Sequence, residues 1–435
     1  MESRETFNPS PPWTARPAGL FKTIHAWFSK ITGICRIFTD DLNMSRKKKL
    51  PLKSSSSIFK SYLPLFFFLA PVLLYAAPLY SPSWGFSINL PEDYEFNNGN
   101  RRDRFSFGSP DGAILDIVVY AAEAGRAAPY SSVESMARDV QSRLRSSGET
   151  SYFEYRNKKA AILELKFNMN FTQMTGWGLA IELKAAEPKL LLALSYGPAQ
   201  RPDLQILHFS ILDSIAPSEE DRIYPGPIME FSYPRVKRLA MPLWNLGEEA
   251  WFFKEDEEAN QALVEREFNV LKRYVNSPMW KEAWIRYYQA LYRDSYERLA
   301  NAAFIIERKM NIPPLEDRDF AGQVLKWIQS FDYERDFSGS DFISPVSAVL
   351  EGRGDCDNRA MLMAIILNHA NIPAAMMVSR DYNHAMALAD LHGIGARFET
   401  GGKRWLVAET TANVSIGLIA EEMSDPKGWI GIVFQ

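Results

Sequence analysis

From residue 84 to residue 217 the chain runs in short apolar or alternating blocks: WGFSINL, DRFSFG, AILDIVVY, SYFEYR, AAILELKF, GLAIELKA and KLLLALSY. A period of two, or a short apolar run between turns, marks a strand with one or both faces buried. Asn98-Gly99, Pro110-Asp111-Gly112 and Asn157-Lys158-Lys159 fall between blocks as turns. The period lengthens to that of a helix near 131–146, where Val133, Met136, Val140 and Leu144 share a face behind a Ser131 or Ser132 cap. A second helix is expected near 201–215, after the last block. These elements predict an antiparallel α+β domain over 84–217. It holds no cluster of catalytic residues, and His208 is expected as a lone, partly buried or surface histidine.

Beyond it, Pro217, Pro225, Pro227 and Pro234 mark residues 218–240 as a linker. Residues 241–310 read as a helical segment. In it, Trp280, Trp284, Tyr288 and Leu291 advance by four, four and three and form one stripe, the pattern of a core-facing helix side. The dense charge alternation of this segment reads as solvated helix surface.

The N-terminal region carries a different signal. Residues 61–77, SYLPLFFFLAPVLLYAA, are uncharged and follow a basic cluster from Arg46 to Lys60. Basic, then apolar, then small residues is the grammar of an export signal, with the basic side cytoplasmic. We therefore expect 1–43 to be a disordered extension or a misassigned start before Met44. Residues 44–77 are expected as a signal peptide or an anchor attaching the chain to the membrane, and the rest as exported, periplasmic or extracytoplasmic.

Composition narrows the partners. The 435 residues suggest two or three domains, and 46% apolar with 23% charged is globular. A net charge of −4 gives no basic excess, so no nucleic-acid partner is expected. Two cysteines, Cys35 and Cys356, build neither a disulfide framework nor a four-cysteine zinc site.

Residues 311–435 carry the chemistry. Cys356 follows the turn Gly352-Arg353-Gly354-Asp355 and precedes an apolar helical face of Ala360, Met363, Ile366, Leu367 and Ala370; Pro373 ends that helix. A cysteine at a helix start meets unpaired amides and the positive end of the dipole, which favour the thiolate. A nucleophilic cysteine also needs a base. His384 opens an apolar strand-like stretch, and Glu409 ends another, RWLVAE. If those strands are neighbours, Glu409 can orient the imidazole and stabilise its charged form. Asp390 is the rival acid, six residues along the same strand. Gln329, polar in an apolar helix, is a candidate oxyanion donor. His369 is expected on a helix surface and His392 in a loop; either, with Cys356 and His384, is the alternative zinc set.

Gly352, Gly354, Asp355 and Cys356, then Ile372-Pro373-Ala374, then His384-Ala385, then Trp405, Glu409 and Thr410, resemble the motifs of the transglutaminase-like superfamily. Val324 to Tyr333 resembles the helix and tyrosine that precede its cysteine. The resemblance implies a papain-like α+β domain over 311–435 with a Cys356–His384–Glu409 triad. It also implies a peptide or protein substrate and no metal or organic cofactor. The acid is more often aspartate in that family. The element order of 84–217 and its opening, GFSINLPEDYEF, resemble PsbP-like α/β sandwich domains of exported proteins. The function expected is a thiol peptidase or amidase. A protein-crosslinking transglutaminase and a non-catalytic peptide-binding scaffold are the alternatives.

Overall fold

The computed structural model describes residues 78–122, 127–183, 189–335 and 340–434. The extension and the signal or anchor expected over 1–77 lie outside the described residues. Among the described residues no helix is long and apolar enough to cross a membrane.

The chain opens with the paired β1 (Leu79–Tyr80) and β2 (Ser87–Ile88), then β3 (Glu95–Gly99), β4 (Arg104–Gly108), β5 (Ile114–Tyr120), α1 (Val133–Leu144), β6 (Thr150–Tyr155), β7 (Lys158–Met169), β8 (Thr172–Glu182), β9 (Leu190–Pro198) and α2 (Gln205–Ser214). Seven strands form one antiparallel sheet in the order β3-β4-β5-β9-β8-β7-β6. The adjoining strands β7, β8 and β9 carry long buried runs because both of their faces are covered, whereas β3 at the sheet edge is exposed. In β7, Ala161, Leu163 and Leu165 pack with Val133, Met136 and Val140 of α1, while Ala160 and Ile162 join Leu207 and Ile211 of α2. Ser132 caps α1 by accepting from the Ser135 amide at 3.2 Å. His208 is not at the surface: it is fully buried in α2, with Nδ1 2.9 Å from Ser195 Oγ.

Residues 218–240 are not an extended connector. α3 (Pro227–Ser232) begins with proline at its first position, where the missing N–H costs nothing. Ile228, Met229 and Phe231 are completely buried. Asp213 Oδ1 accepts from the amides of Ile228 and Met229 at 2.9 Å each. The Arg293 guanidinium donates to the carbonyls of Asp213, Ser214, Ile215, Asp221 and Tyr224, clasping the stretch to the helices that follow. The prolines thus start and bend packed structure.

Next come the hairpin β10 (Arg238–Pro242) and β11 (Glu249–Phe253), then α4 (Asp256–Leu271), α5 (Trp280–Arg298), α6 (Ala300–Met310) and α7 (Asp317–Gln329). Tyr288 and Leu291 of the aromatic stripe are buried, and Trp280 meets Trp284 edge to face at 5.6 Å. The charge alternation is only partly solvated. Arg266 pairs with Asp213 and Glu267 at 2.7 Å each, Arg286 with Glu92 at 2.9 Å and Glu267 at 3.1 Å, and Arg298 with Asp256 at 2.7 Å and Asp294 at 2.9 Å. All of these side chains are buried. The arginine fork makes such burial tolerable by meeting carboxylates at several points.

The C-terminal part contains β12 (Asp332–Tyr333), α8 (Pro345–Glu351), β13 (Arg353–Gly354), α9 (Cys356–His369), β14 (Ala374–Ser379), β15 (His384–Ala389), β16 (Arg397–Thr400), β17 (Lys403–Ala408) and β18 (Ile430–Val433). Its five-stranded antiparallel sheet has the order β16-β17-β15-β14-β18. Met376, Val378, Ala385 and Ala387 share the core of α9; Met377, Met386, Leu388 and Trp405 pack on the other face with Trp429. One cluster of buried side chains runs from Phe86 through Leu263 and Leu291 to Ile366 and Ile432, joining both sheets through the helices between them. The fold is mixed α and β, built on antiparallel sheets.

Candidate active site

The turn that leads into Cys356 is built to be tight. Gly352 caps α8 in the left-handed region (φ 66°), and a Cβ there would lie 2.0 Å from the Trp244 ring. At Gly354 a Cβ would lie 2.2 Å from Asn358 Oδ1, so the chain passes too close for any side chain. Parallel pairing of Asp332 with Arg353 and Tyr333 with Gly354 fixes the turn from one side. Arg359, only 2% exposed, fixes it from the other: Nε donates to the Gly354 carbonyl at 3.0 Å and Nη2 to that of Phe331 at 2.7 Å. Asp355 caps α9, its Oδ1 accepting from the Asn358 amide at 3.0 Å. Cys356 is the first residue of that helix and is buried.

β15 and β17 are antiparallel neighbours, with Ala387 opposite Ala408. His384 opens one strand and Glu409 follows the other, which brings His384 Nε2 to 2.7 Å from Glu409 Oε2. The second carboxylate oxygen accepts from the Thr411 amide at 2.7 Å and from Thr411 Oγ1 at 2.6 Å. Burial opposes ionisation of Glu409, but the His384 and Thr411 donors overcome it and hold the acid below its ordinary range. Gln329, expected as an oxyanion donor, does not line the cavity that holds Cys356 and His384. Its amide donates to the carbonyls of Glu409 at 2.8 Å and Val414 at 2.9 Å, so it braces the acid loop.

Cys356 and His384 line one cavity of about 250 Å³, walled by Trp284, Tyr287, Tyr288 and Phe342. The thiol donates to Asp357 Oδ1 at 3.3 Å, and Tyr288 donates its hydroxyl to Asp357 Oδ2. Burial first, and then the carboxylates of Asp357 and Asp355, push the Cys356 thiol well above its ordinary range. This reverses the expectation from helix position alone: in the free protein, desolvation and two acids outweigh the dipole. Burial and its neighbour Asp357 raise Asp355 to about 8.

Asp390 is exposed and pairs with Lys403 at 3.0 Å, far along β15 from the imidazole. His369 ends α9, stacked on Tyr296 at 3.9 Å with Nε2 2.8 Å from the Tyr296 carbonyl. Thirteen residues of helix, about 20 Å, separate it from Cys356. His392 lies beyond the other end of β15, where its carbonyl accepts from Arg318. The alternative zinc set is therefore not assembled. Donor atoms of Asp355, Cys356 and Asp357 lie within 4.8 Å of one another. Asp355 Oδ1 and both Asp357 oxygens are committed to the hydrogen bonds above.

Sequence reasoning missed Asp357, Arg359, Tyr288 and Thr411. Arg359 left a trace, a cation opening an apolar helix, which demands buried carbonyl partners. Tyr288 left none, since its partner is 69 residues away.

No family model matches the chain, and no curated protein matches it. Among solved structures, one from Bacteroides thetaiotaomicron is 14% identical, with 49% of this chain and 76% of that one covered, at a TM-score of 0.23. Cyanobacterial PsbP from Synechocystis is 10% identical over 35% of this chain and 98% of its own, at 0.25. LpqN of Mycobacterium tuberculosis, described as involved in cell envelope biogenesis, is 10% identical over 32% and 88%, at 0.24. At such scores the likenesses decide neither fold nor function.

Proposed function

We propose that the chain is an exported thiol enzyme of transglutaminase-like type, attacking a peptide or amide carbonyl through Cys356, His384 and Glu409. The observation that carries this reading is the His384–Glu409 contact of 2.7 Å beside a cavity whose wall includes Cys356 at the head of a buried helix. In this reading Glu409 holds Nε2, so Nδ1 is the atom that takes the Sγ proton. The sulfur attacks the carbonyl carbon, the C–N bond breaks, and the leaving amine takes the proton back from the imidazolium. Water, deprotonated by the same imidazole, then cleaves the thioester and restores the thiol. An amine in place of water would give crosslinking; hydrolysis is the simpler outcome because water is always present. Because the thiol is protonated at rest, the proton leaves as attack proceeds rather than before it. Export rests on the basic cluster and apolar run of residues 46–77.

One observation favours a second reading, a non-catalytic peptide-binding scaffold: the Cys356 thiol is hydrogen-bonded to Asp357 and held protonated. A peptide library incubated with the protein, scored by mass spectrometry for cleavage and for amine incorporation, separates the two. Turnover abolished by Cys356→Ala and by His384→Ala supports the enzyme. Peptide retention without turnover, unchanged in Cys356→Ala, supports the scaffold.

A further inference from the structure

A second cavity, of about 90 Å³, lies where α2 meets α4 and α5, and it shares no wall residue with the cavity of Cys356. Its wall carries Arg222, Arg266, Arg286 and Arg293 against three carboxylates, Asp213, Glu267 and Asp294. The carboxylates are already saturated. Asp213 accepts from two amides at 2.9 Å and from Arg266 Nη2 at 2.7 Å. Glu267 accepts from Arg266 Nε at 2.7 Å, Ser210 Oγ at 2.9 Å and Arg286 Nη1 at 3.1 Å. Asp294 accepts from Arg298 at 2.9 and 3.0 Å and from Asn260 at 2.8 Å.

The arginines are not saturated. Arg266 Nη1, Arg286 Nη2 and Arg222 Nε are buried and meet no acceptor among the described residues. Arg266 and Arg286 are each only 2% exposed. A buried guanidinium N–H without an acceptor is costly. Asp213, Glu267 and Glu92 balance the charges of Arg266 and Arg286, whereas Arg293 meets only main-chain carbonyls among the described residues, and its charge adds to the cost. A water molecule needs roughly 10–15 Å³ of such space, so the cavity has room for several waters or one small anion. Water answers the missing hydrogen bonds but not the charge. A small oxyanion answers both, and guanidinium forks suit planar and tetrahedral oxyanions alike.

We infer that this cavity binds a small oxyanion of the phosphate or carboxylate class between α2 and the helix pair α4–α5. Its donors are Arg222, Arg266 and Arg286. Binding ties the first sheet's helix to α5, which also carries Tyr287 and Tyr288 on the wall of the Cys356 cavity.

The test is thermal unfolding and calorimetry of the full chain in sodium phosphate, sodium acetate and sodium chloride at matched ionic strength. A ligand of the folded state raises Tm saturably. We expect such a rise with phosphate, acetate or both, and none with chloride; which anion acts names the class. Arg222→Gln removes one donor, and Gln289→Glu places a carboxylate on the same wall. Both spare the buried ion pairs, and circular dichroism verifies the fold. Each should weaken binding about tenfold or more, the cost of one charged hydrogen bond. No saturable rise over chloride with either anion, or a rise unchanged in both variants, would overturn the assignment. Peptide turnover is not read, so the outcome is independent of the proposed activity.

Discussion

The side-chain amide of Gln329 donates to the main-chain carbonyl of Glu409 at 2.8 Å, so a helix that precedes Cys356 in the chain holds the carboxylate residue that meets His384. The same nitrogen also reaches the Val414 carbonyl, at 2.9 Å. Gln329→Leu should therefore leave two carbonyls without their donor. We expect a loss of about 1–3 kcal/mol in denaturant unfolding. If Glu409 orients His384, turnover should fall through kcat with KM little changed, because the acid loosens while the cavity wall stays. Unchanged stability would show that the brace is redundant.

The thiol offers a second test. Asp357 accepts from Cys356 Sγ and, with burial, holds the thiol pKa up. Removing that negative charge favours the thiolate. Asp357→Asn should speed iodoacetamide labelling at pH 8 by about tenfold, the change in thiolate for one pKa unit. The wild-type rate should be slow at pH 7 and still rising above pH 9. Peptide mapping assigns the label to Cys356 rather than Cys35. Equal rates in the two proteins would show that Asp357 does not govern the thiol.

Local pattern made much of the frame legible. The period-two blocks and the 131–146 periodicity mark β4 to β7, β9 and α1, because short antiparallel strands and an amphipathic helix are written in neighbouring residues; the block at 178–185 catches only the second half of β8, and Asn98-Gly99, read as a turn, ends β3. The positions of Cys356 and His384 were readable for the same reason: one opens a helix, the other a strand. What could not be read is set by long-range pairing. Arg266 and Arg286 look like solvated charges until Asp213, Glu92 and Glu267 are brought around them. Prolines 225 and 227 look like linker signals until Arg293 is laid across the Asp221 and Tyr224 carbonyls and Asp213 takes the amides of Ile228 and Met229. The direction of the Cys356 shift is not legible in the sequence because the helix dipole is local, whereas burial in a cavity shared with Tyr287, Tyr288 and Phe342 is not.

His208 gives a prediction about pH. Burial drives its imidazole from the ordinary 6.5 down to about 3. Between those values the unfolded chain binds a proton that the folded chain refuses. The unfolded state then holds more protons, so stability falls as pH drops. The contribution is fully present above about pH 6.5 and is lost at up to about 1.4 kcal/mol per pH unit below it. Urea unfolding at pH 7, 6 and 5 should show this slope. His208→Gln should flatten it, whatever its effect at pH 7. A slope unchanged by the substitution would assign the acid sensitivity to other groups.

The choice of acid can be tested directly. Glu409 touches the imidazole at 2.7 Å and is held ionised by Thr411, whereas Asp390 is exposed and answers Lys403. Glu409→Gln keeps the shape and can still hydrogen-bond the ring, but supplies no charge for the imidazolium formed as Cys356 gives up its proton. Acid-to-amide change in a serine triad costs about 10⁴-fold in kcat. A thiol is easier to ionise than a hydroxyl, so we expect a smaller loss here, on the order of 10 to 10³-fold. The raised Cys356 pKa places the outcome toward the upper end, since the resting thiol depends on the base for its proton transfer. Cys356→Ala should abolish turnover, because no covalent route remains, and Asp390→Asn should change it little. All three are compared on one peptide substrate, with circular dichroism confirming the fold. Turnover abolished in Asp390→Asn and retained in Glu409→Gln would transfer the role to Asp390.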